Sequence, residues 1–369
     1  MKNKAIVIVD VVGAKAGMDL YDLNLATSLQ EENVDVSIAS NFNSNEVPCK
    51  VCFSDVKLHG IKRISNIVYG HLVAFMWARK NKVKNVLMHS FSFEMKDLIP
   101  LIISKILGLR VILIVHDVSG FGDRDNNGIR NFILNSLVNN IVVHNKFSRD
   151  RLFNDSSKKI KNKTAIIKHG NFTSNEFVKI NREEALDQLK LSSEYKYVLF
   201  FGQIKKVKGV DVLLNAFEMV SDPKVRLIIA GKPWLDSFEE YESIINEKNL
   251  NDRVIKRIQF IENDVRDLLF SACEMLILPY KEIYQSGVLL MALSSKIPVI
   301  VSDLIPFKEV IGDDCGIQFE NMNHVDLAEK INYAIKHPEE LKTNSENGYK
   351  NMKFNYSWRT IAQEYYNLI

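Results

Sequence analysis

The stretch "LPYKEIYQSGVLLMALSSKIPVIVSD", residues Leu278 to Asp303, decides the fold. An apolar run, Met275–Leu278, stops at Pro279-Tyr280. The chain turns through Gln285-Ser286-Gly287, continues as an almost wholly apolar helical segment, and returns as the apolar run Val299–Val301. Strand, crossover helix and strand in one stretch predict a right-handed βαβ unit and hence a parallel sheet. The elbow is short of carboxylates. Two or three N–H groups at the start of a helix suit an anion without side-chain charge, provided that Lys205 and Lys208 lie opposite.

The same alternation extends through the chain. Tyr197–Phe201, Val225–Ala230 and Val254–Phe260 read as further strands of the second half, with a helix over about Val210–Val220. In the first half the strands are Ala5–Val9, Val34–Ala39, Val86–His89, Val111–Val115 and Ile141–Val143. Each is a near-continuous apolar run, as strands buried on both faces require. Met18–Glu32 is helical on the spacing of Tyr21, Leu25 and Leu29, and Leu98–Leu109 is a second helix, closed by Gly108. The polar segment at about Gly170–Ser193 reads as a linker between two doubly wound α/β domains. Ligands of open parallel sheets bind at the carboxyl ends of the strands, so two such domains facing a central cleft would bind there.

Composition bounds the rest. The 369 residues suffice for two cores, and 46% hydrophobic with 25% charged is an ordinary globular composition. No apolar run approaches the length of a membrane-spanning helix. The apolar part of the N-terminus is too short for a signal peptide and meets Asp10, so it reads as a first strand. Four cysteines argue for a reducing, cytoplasmic compartment, and Cys49-x-x-Cys52 has no second pair at zinc spacing. Residues 1–170 hold 24 basic and 15 acidic residues, against 24 and 30 in the remainder. The basic half suggests an anionic partner, a membrane surface or a phosphorylated acceptor. Nucleic acid is not indicated, for want of interleaved basic and aromatic residues.

Five stretches at strand ends can carry chemistry. In "VDVVGAKAGMDLY" Gly13 and Gly17 open a helix, which suits either a ligand's approach or a simple tight turn. In "LIVHDVSGFG" His116 and Asp117 end a buried strand before a glycine loop. In "VVHNKFSRDRL" His144 ends another, where hydrogen bonding or capping of a helix begun by Ser148 is the plainer role. In "FFGQIKKVKGVDVLL" Gly202, Lys205, Lys208 and Gly209 surround a strand-to-helix turn, a good phosphate site. The fifth is the elbow, with Tyr280, Ser286, Gly287 and Val288.

Together these segments resemble the family-4 retaining glycosyltransferases of the GT-B fold. "FFGQIKKVKGVDVLLNAF" is similar to that family's glycine-lysine segment, "LIIAGKP" to its next strand and turn, and "SACEMLILPY" to its helix-to-strand step, with Glu274 where aspartate is common. "QSGVLLMALSSKIPVIVSD" resembles one subgroup's donor-site helix, "IIKHGNF" the close of the first domain and "YSWRTIAQEYYNLI" the last helix. The resemblance implies an acceptor domain over residues 1–175, a donor domain over 190–350 and a helix at about 355–369 packing back on the first. It implies transfer of a sugar from a nucleotide-diphosphate sugar to a glycan or lipid-linked acceptor, in bacterial surface polysaccharide or glycoconjugate synthesis. It implies no cofactor and no metal, UDP favoured over GDP or dTDP, and peripheral contact with the inner face of a membrane through the basic N-terminal domain. Donor diphosphate falls to Lys205, Lys208 and the N–H groups of Ser286–Val288, with His116 beside the sugar and Gly13 and Gly17 by donor or acceptor. Many members carry two glutamates around the elbow; here Ile283 and Met291 stand in those places, and Glu282, one residue off, is the substitute for the first. That loss admits two other readings, a non-catalytic partner of a glycosyltransferase and a nucleotide-sugar epimerase on the same fold.

Overall fold

A computed structural model describes residues 4–14, 17–54, 60–118, 127–173, 180–234 and 237–369. The chain divides into two compact units, Met1–Gly170 with Tyr356–Ile369, and Asn171–Asn355. The first runs β1 Ala5–Val9, α1 Met18–Glu31, β2 Asp35–Ser40, β3 Cys49–Val51, α2 Gly60–Lys80, β4 Asn85–Ser90, α3 Met95–Ile106, β5 Arg110–Val115, α4 Asn127–Phe132, β6 Asn140–Val143, α5 Lys146–Phe153, α6 Lys158–Asn162 and β7 Thr164–Ile166. The second runs α7 Arg182–Leu189, β8 Lys196–Phe201, α8 Val210–Glu218, β9 Val225–Ala230, α9 Glu239–Glu247, β10 Val254–Arg257, α10 Asn263–Ala272, β11 Met275–Leu278, α11 Gly287–Ser294, β12 Val299–Ser302, α12 Ile305–Ile311, β13 Ile317–Phe319, α13 His324–Lys336 and α14 Pro338–Asn355. The last helix, α15 Trp358–Tyr366, returns to the first unit.

Both sheets are parallel throughout. Their orders are β3-β2-β1-β4-β5-β6-β7 and β10-β9-β8-β11-β12-β13. Each order reverses direction once, between β1 and β4 in the first and between β8 and β11 in the second. At such a switch point the crossovers leave on opposite faces and a crevice opens at the carboxyl ends of the two strands.

Two sequence expectations change. The linker contains α7, whose Ala185, Leu186 and Leu189 are buried while Arg182 pairs with Glu274 at 3.0 Å. Its polar residues form the outer face of an amphipathic helix. The strand expected to reach Phe260 stops at Arg257, because β10 is an edge strand and Phe260 is 64% exposed. Cys49 and Cys52 are free thiols at the β3 edge.

Helix α15 closes the first unit's core. Trp358, Ile361, Ala362 and Tyr365 pack into the cluster built on Tyr21, Leu25 and Leu29 of α1. The Tyr21 and Trp358 rings meet edge to face at 5.1 Å, and the Tyr21 and Tyr365 hydroxyls share a 3.1 Å hydrogen bond. Trp358→Ala is expected to lower stability by about 3–5 kcal/mol, the scale of a large buried aromatic truncated to Ala. Urea unfolding followed by circular dichroism checks this; an unchanged midpoint would show that α15 adds nothing to the core.

Candidate active site

The switch point of the second sheet gathers the donor-site candidates. Gly202 (φ 116°) follows β8, and an added Cβ there would lie 3.3 Å from Val288 on α11. The Lys206–Lys208 turn follows, and Gly209 (φ 68°) begins α8. Gly209 is required sterically: an added Cβ would lie 1.8 Å from the Pro279 carbonyl oxygen. That close approach seats the lysine turn on the end of β11. Lys208 Nζ stands 3.6 Å from the Tyr280 ring centroid, and Lys205 Nζ stands 5.2 Å from that of Trp234. Sequence reasoning missed Lys281, which binds the elbow to this turn. Its N–H donates to Val207 O at 2.8 Å and its ammonium meets Asp211 at 2.7 Å.

The elbow itself is a capped helix start. Ser286 is the N-cap of α11, its Oγ accepting from Leu289 N at 3.2 Å. Leu289 is thereby satisfied, which leaves Gly287 and Val288 as the first-turn amides without an intrahelical acceptor. Tyr280 is buried, and desolvation pushes its phenol well up despite a hydrogen bond with Ser286. An added Cβ at Gly287 would meet nothing within 4 Å, so the space over this helix start is open. Ile283 is buried and Met291 half-buried, whereas Glu282 is exposed. The apolar replacements are therefore partly core residues, and the substitute carboxylate remains accessible.

The switch point of the first sheet holds a polar cluster. Asp10 follows β1, and its carboxylate accepts from Val12 N at 2.8 Å and Gly13 N at 2.7 Å. Gly13 (φ 54°) presses on Asn41, whose amide also brackets the turn through Ala14 N and Val12 O. Gly17 (φ 75°) is the N-cap of α1. The turn is thus held by Asp10 and Asn41, neither of which the sequence singled out.

Four histidines end four neighbouring strands: His89 in β4, His116 after β5, His144 after β6 and His169 after β7. All four rings lie around Tyr21, with centroids between 4.8 and 6.2 Å from it. His116 is half-buried, stacked on Phe91 at 4.4 Å, and hydrogen-bonded through Nε2 to His89. His144 is buried 5.1 Å from it and donates from Nδ1 to Ile167 O. It does not cap α5, and neither does Ser148; Asn145 is the N-cap and accepts from Ser148 N at 2.7 Å. Asp117 is half-buried beside His116, and the glycine loop after it lies outside the described residues, as do Lys15 and Ala16. His89 and His169 went unread, although the signal was present: every apolar run from β4 to β7 ends within a few residues of a histidine.

Burial sets the charge of this cluster. Desolvation holds His144 down at about 3 and His169 at about 4, and it pushes His116 well down. Desolvation, with Asp10 nearby, lifts Asp22 on α1 to about 7, against the pull of His89.

Residues 181–351 match the family described as Glycosyl transferases group 1. The chain is 36% identical over 123 residues to a GDP-mannose:glycolipid 4-beta-D-mannosyltransferase of Xanthomonas campestris pv. campestris, covering 32% of this chain and 33% of the relative. It thus spans about a third of that relative's length. It is 23% identical over 349 residues to an uncharacterized glycosyltransferase of Methanocaldococcus jannaschii, covering 93% and 91% of the two chains. Among solved structures, sucrose-phosphate synthase from Thermosynechococcus elongatus superposes with a TM-score of 0.79 at 18% identity over 99% of this chain and 98% of that one. Anabaena HepE in complex with UDP-glucose does so with 0.78 at 16% identity, over 99% and 98%. The fold is the GT-B fold of glycosyltransferases, and the second unit carries the sequence pattern of the group 1 transferases.

Two predictions follow from this geometry. Lys208→Ala should weaken binding of a nucleoside diphosphate by about 1.5–3 kcal/mol, the worth of a charged hydrogen bond, and leave the free nucleoside unaffected. Calorimetric titration distinguishes the two, and equal losses would remove the lysine from the phosphate. The second concerns pH. His144 and His169 fall below their ordinary 6.5 on folding, so their stabilisation is present above 6.5 and is lost as pH falls toward 3–4. Asp22 and His89, both raised, act in the opposite sense, and His71 and His116, both lowered by burial, act with His144 and His169, so the depressed histidines prevail. Stability should fall on acidification below about pH 6.5, and His144→Gln should flatten the slope by up to about 1.4 kcal/mol per pH unit. An identical slope in the variant would mean that His144 is protonated in the folded protein.

Proposed function

We propose that the protein is a glycosyltransferase of the family-4 type that moves a sugar from a nucleotide-diphosphate sugar to a glycan or lipid-linked acceptor. One observation carries this reading. At the switch point of the second sheet, Gly202 packs on Val288 at the start of α11, the space over Gly287 is open, and Lys208 lies over Tyr280, all within the segment that matches the group 1 transferases. Backbone N–H groups and fixed lysines there stabilise the charge that develops on a departing diphosphate. The bond from the sugar's anomeric carbon to the diphosphate breaks, and a bond to an acceptor oxygen forms. His116 contacts the sugar and Glu282 takes the place of the missing elbow carboxylate.

Retention is what the family-4 resemblance implies, with the acceptor proton leaving on the diphosphate. Inversion is the second reading. It is favoured by the beta linkage named in the 36% identical relative and by a buried carboxylate and histidine behind His116, which suit a general base. The donor follows the same division: UDP from the resemblance, GDP-mannose from the relative's name.

A membrane-surface acceptor suits the first unit. α2 and α3 expose Ile61 (85%), Tyr69, Met95 and Ile106 (78%) among Lys62, Arg63, Arg79, Lys80, Lys96 and Lys105. An apolar face edged with cations fits the inner face of an anionic bilayer. No helix among the described residues is long and apolar enough to cross a membrane.

The test is incubation with UDP- and GDP-sugars and a lipid-linked acceptor, followed by NMR of the product's anomeric carbon. Transfer, or slow hydrolysis without acceptor, is expected. Glu282→Gln should lower kcat by about 10²-fold or more. Binding of the donor with neither transfer nor hydrolysis would make the protein a non-catalytic partner. Interconversion of the free nucleotide sugar would make it an epimerase.

A further inference from the structure

His116 is the outer end of a buried chain. Its Nε2 lies 2.9 Å from Nδ1 of His89, and Nε2 of His89 lies 2.9 Å from Oδ1 of Asp22. The side chains of His89 and Asp22 are 1% and 0% exposed. Both ring nitrogens of His89 are therefore committed, one to the carboxylate and one to His116. Among the described residues, no hydrogen bond engages Nδ1 of His116.

We propose that Asp22 and His89 are positioning residues that decide which nitrogen of His116 carries its proton, and hence whether Nδ1 donates to or accepts from the sugar or acceptor hydroxyl. The proposal rests on the assignment of His116 to the substrate, made above.

The argument is proton counting. When the Asp22–His89 pair is neutral overall, as carboxylate with imidazolium or as carboxylic acid with imidazole, Nδ1 of His89 carries hydrogen. It donates to Nε2 of His116, whose own proton must then lie on Nδ1. When the pair loses that proton, Nδ1 of His89 becomes an acceptor and takes a hydrogen bond from Nε2–H of His116. Nδ1 of His116 is then a bare lone pair, able to receive a hydroxyl proton. That proton enters at Nδ1, the Nε2 proton passes to His89, and the buried carboxylate regains a cationic neighbour. One proton thus reverses the hydrogen-bonding sense of His116 without moving a heavy atom.

The surroundings favour the neutral pair near neutral pH. Burial penalises a lone carboxylate, and both Asp22 and His89 titrate above their ordinary values. The groups facing the pair are Asp10 at the end of β1, Tyr21 on α1, Cys49 on β3, Tyr365 on α15, and His116, His144 and His169. The carboxylate of Asp10 works in the same direction, and none of the others supplies a fixed positive charge. His144 and His169 are bound to the backbone carbonyls of Ile167 and Gly170.

The experiment is long-range proton–nitrogen NMR of the full-length protein labelled with ¹⁵N-histidine, without substrate, from about pH 5 to about pH 9. The His116 resonance, assigned with His116→Asn, should report protonated Nδ1 at the lower end and protonated Nε2 at the upper end. Asp22→Asn keeps shape and a hydrogen-bond acceptor but removes the charge. It should move the crossing down by about one pH unit or more, the effect of losing a neighbouring opposite charge. His89→Phe should abolish the crossing. The pH profile of kcat should move with Asp22→Asn while donor KM stays constant. A His116 tautomer that stays the same across the range in the wild type overturns the proposal, as does a crossing that Asp22→Asn leaves in place. A crossing in a protein that transfers no sugar would remove the proposed function alone, since the NMR reading needs no activity.

Discussion

A parallel strand covered on both faces has nowhere to put a polar side chain except at its ends, and this constraint organises both units. The buried interior positions of the strands from β1 to β12 are filled by Val, Ile, Leu, Phe, Met, Ala or Tyr. Chemistry is displaced to the carboxyl ends. In the first unit these ends carry Asp10, His89, His116, His144 and His169. In the second they carry Gly202, Gly231, Tyr280 and Ser302. Ser302 Oγ donates to Tyr280 O at 2.6 Å, so even the end of β12 supports the elbow.

The two units solve the problem of charge differently. The second places cations at a turn and keeps the buried part of the elbow uncharged: Ile283 and Tyr284 lie where a charged side chain would have required a partner. The first buries its titratable groups and neutralises them. Three histidines are kept uncharged by desolvation, and the carboxylate of Asp22 is matched by His89.

Much of the fold was legible in the sequence because a doubly covered strand writes a continuous apolar run. Ala5–Val9, Val225–Ala230 and Met275–Leu278 have the bounds that their apolar runs define. Where burial is one-sided the reading fails: Ile258 and Phe260 extend the apolar run of β10 beyond its last paired residue, and α7 hides its three buried residues in a polar segment. At the elbow, the steric need at Gly209 depends on Pro279, a neighbour distant in the chain. Lys281 reaching Asp211 is likewise a contact between separate crossovers. The histidine chain was out of reach for a different reason. His89 is linked to Asp22 through the β1–β4 adjacency, which strand order alone creates, and a single histidine at a strand end carries no sign of its partner.

The central claim is that the start of α11 holds a diphosphate through backbone amides, with Lys208 supplying the charge. The most direct measurement is a crystal structure of the protein grown with UDP and, separately, with GDP. The account predicts diphosphate oxygens within about 3 Å of the Gly287 and Val288 nitrogens, with Lys208 Nζ directed at the same group. A nucleotide bound with its diphosphate away from this elbow would contradict it.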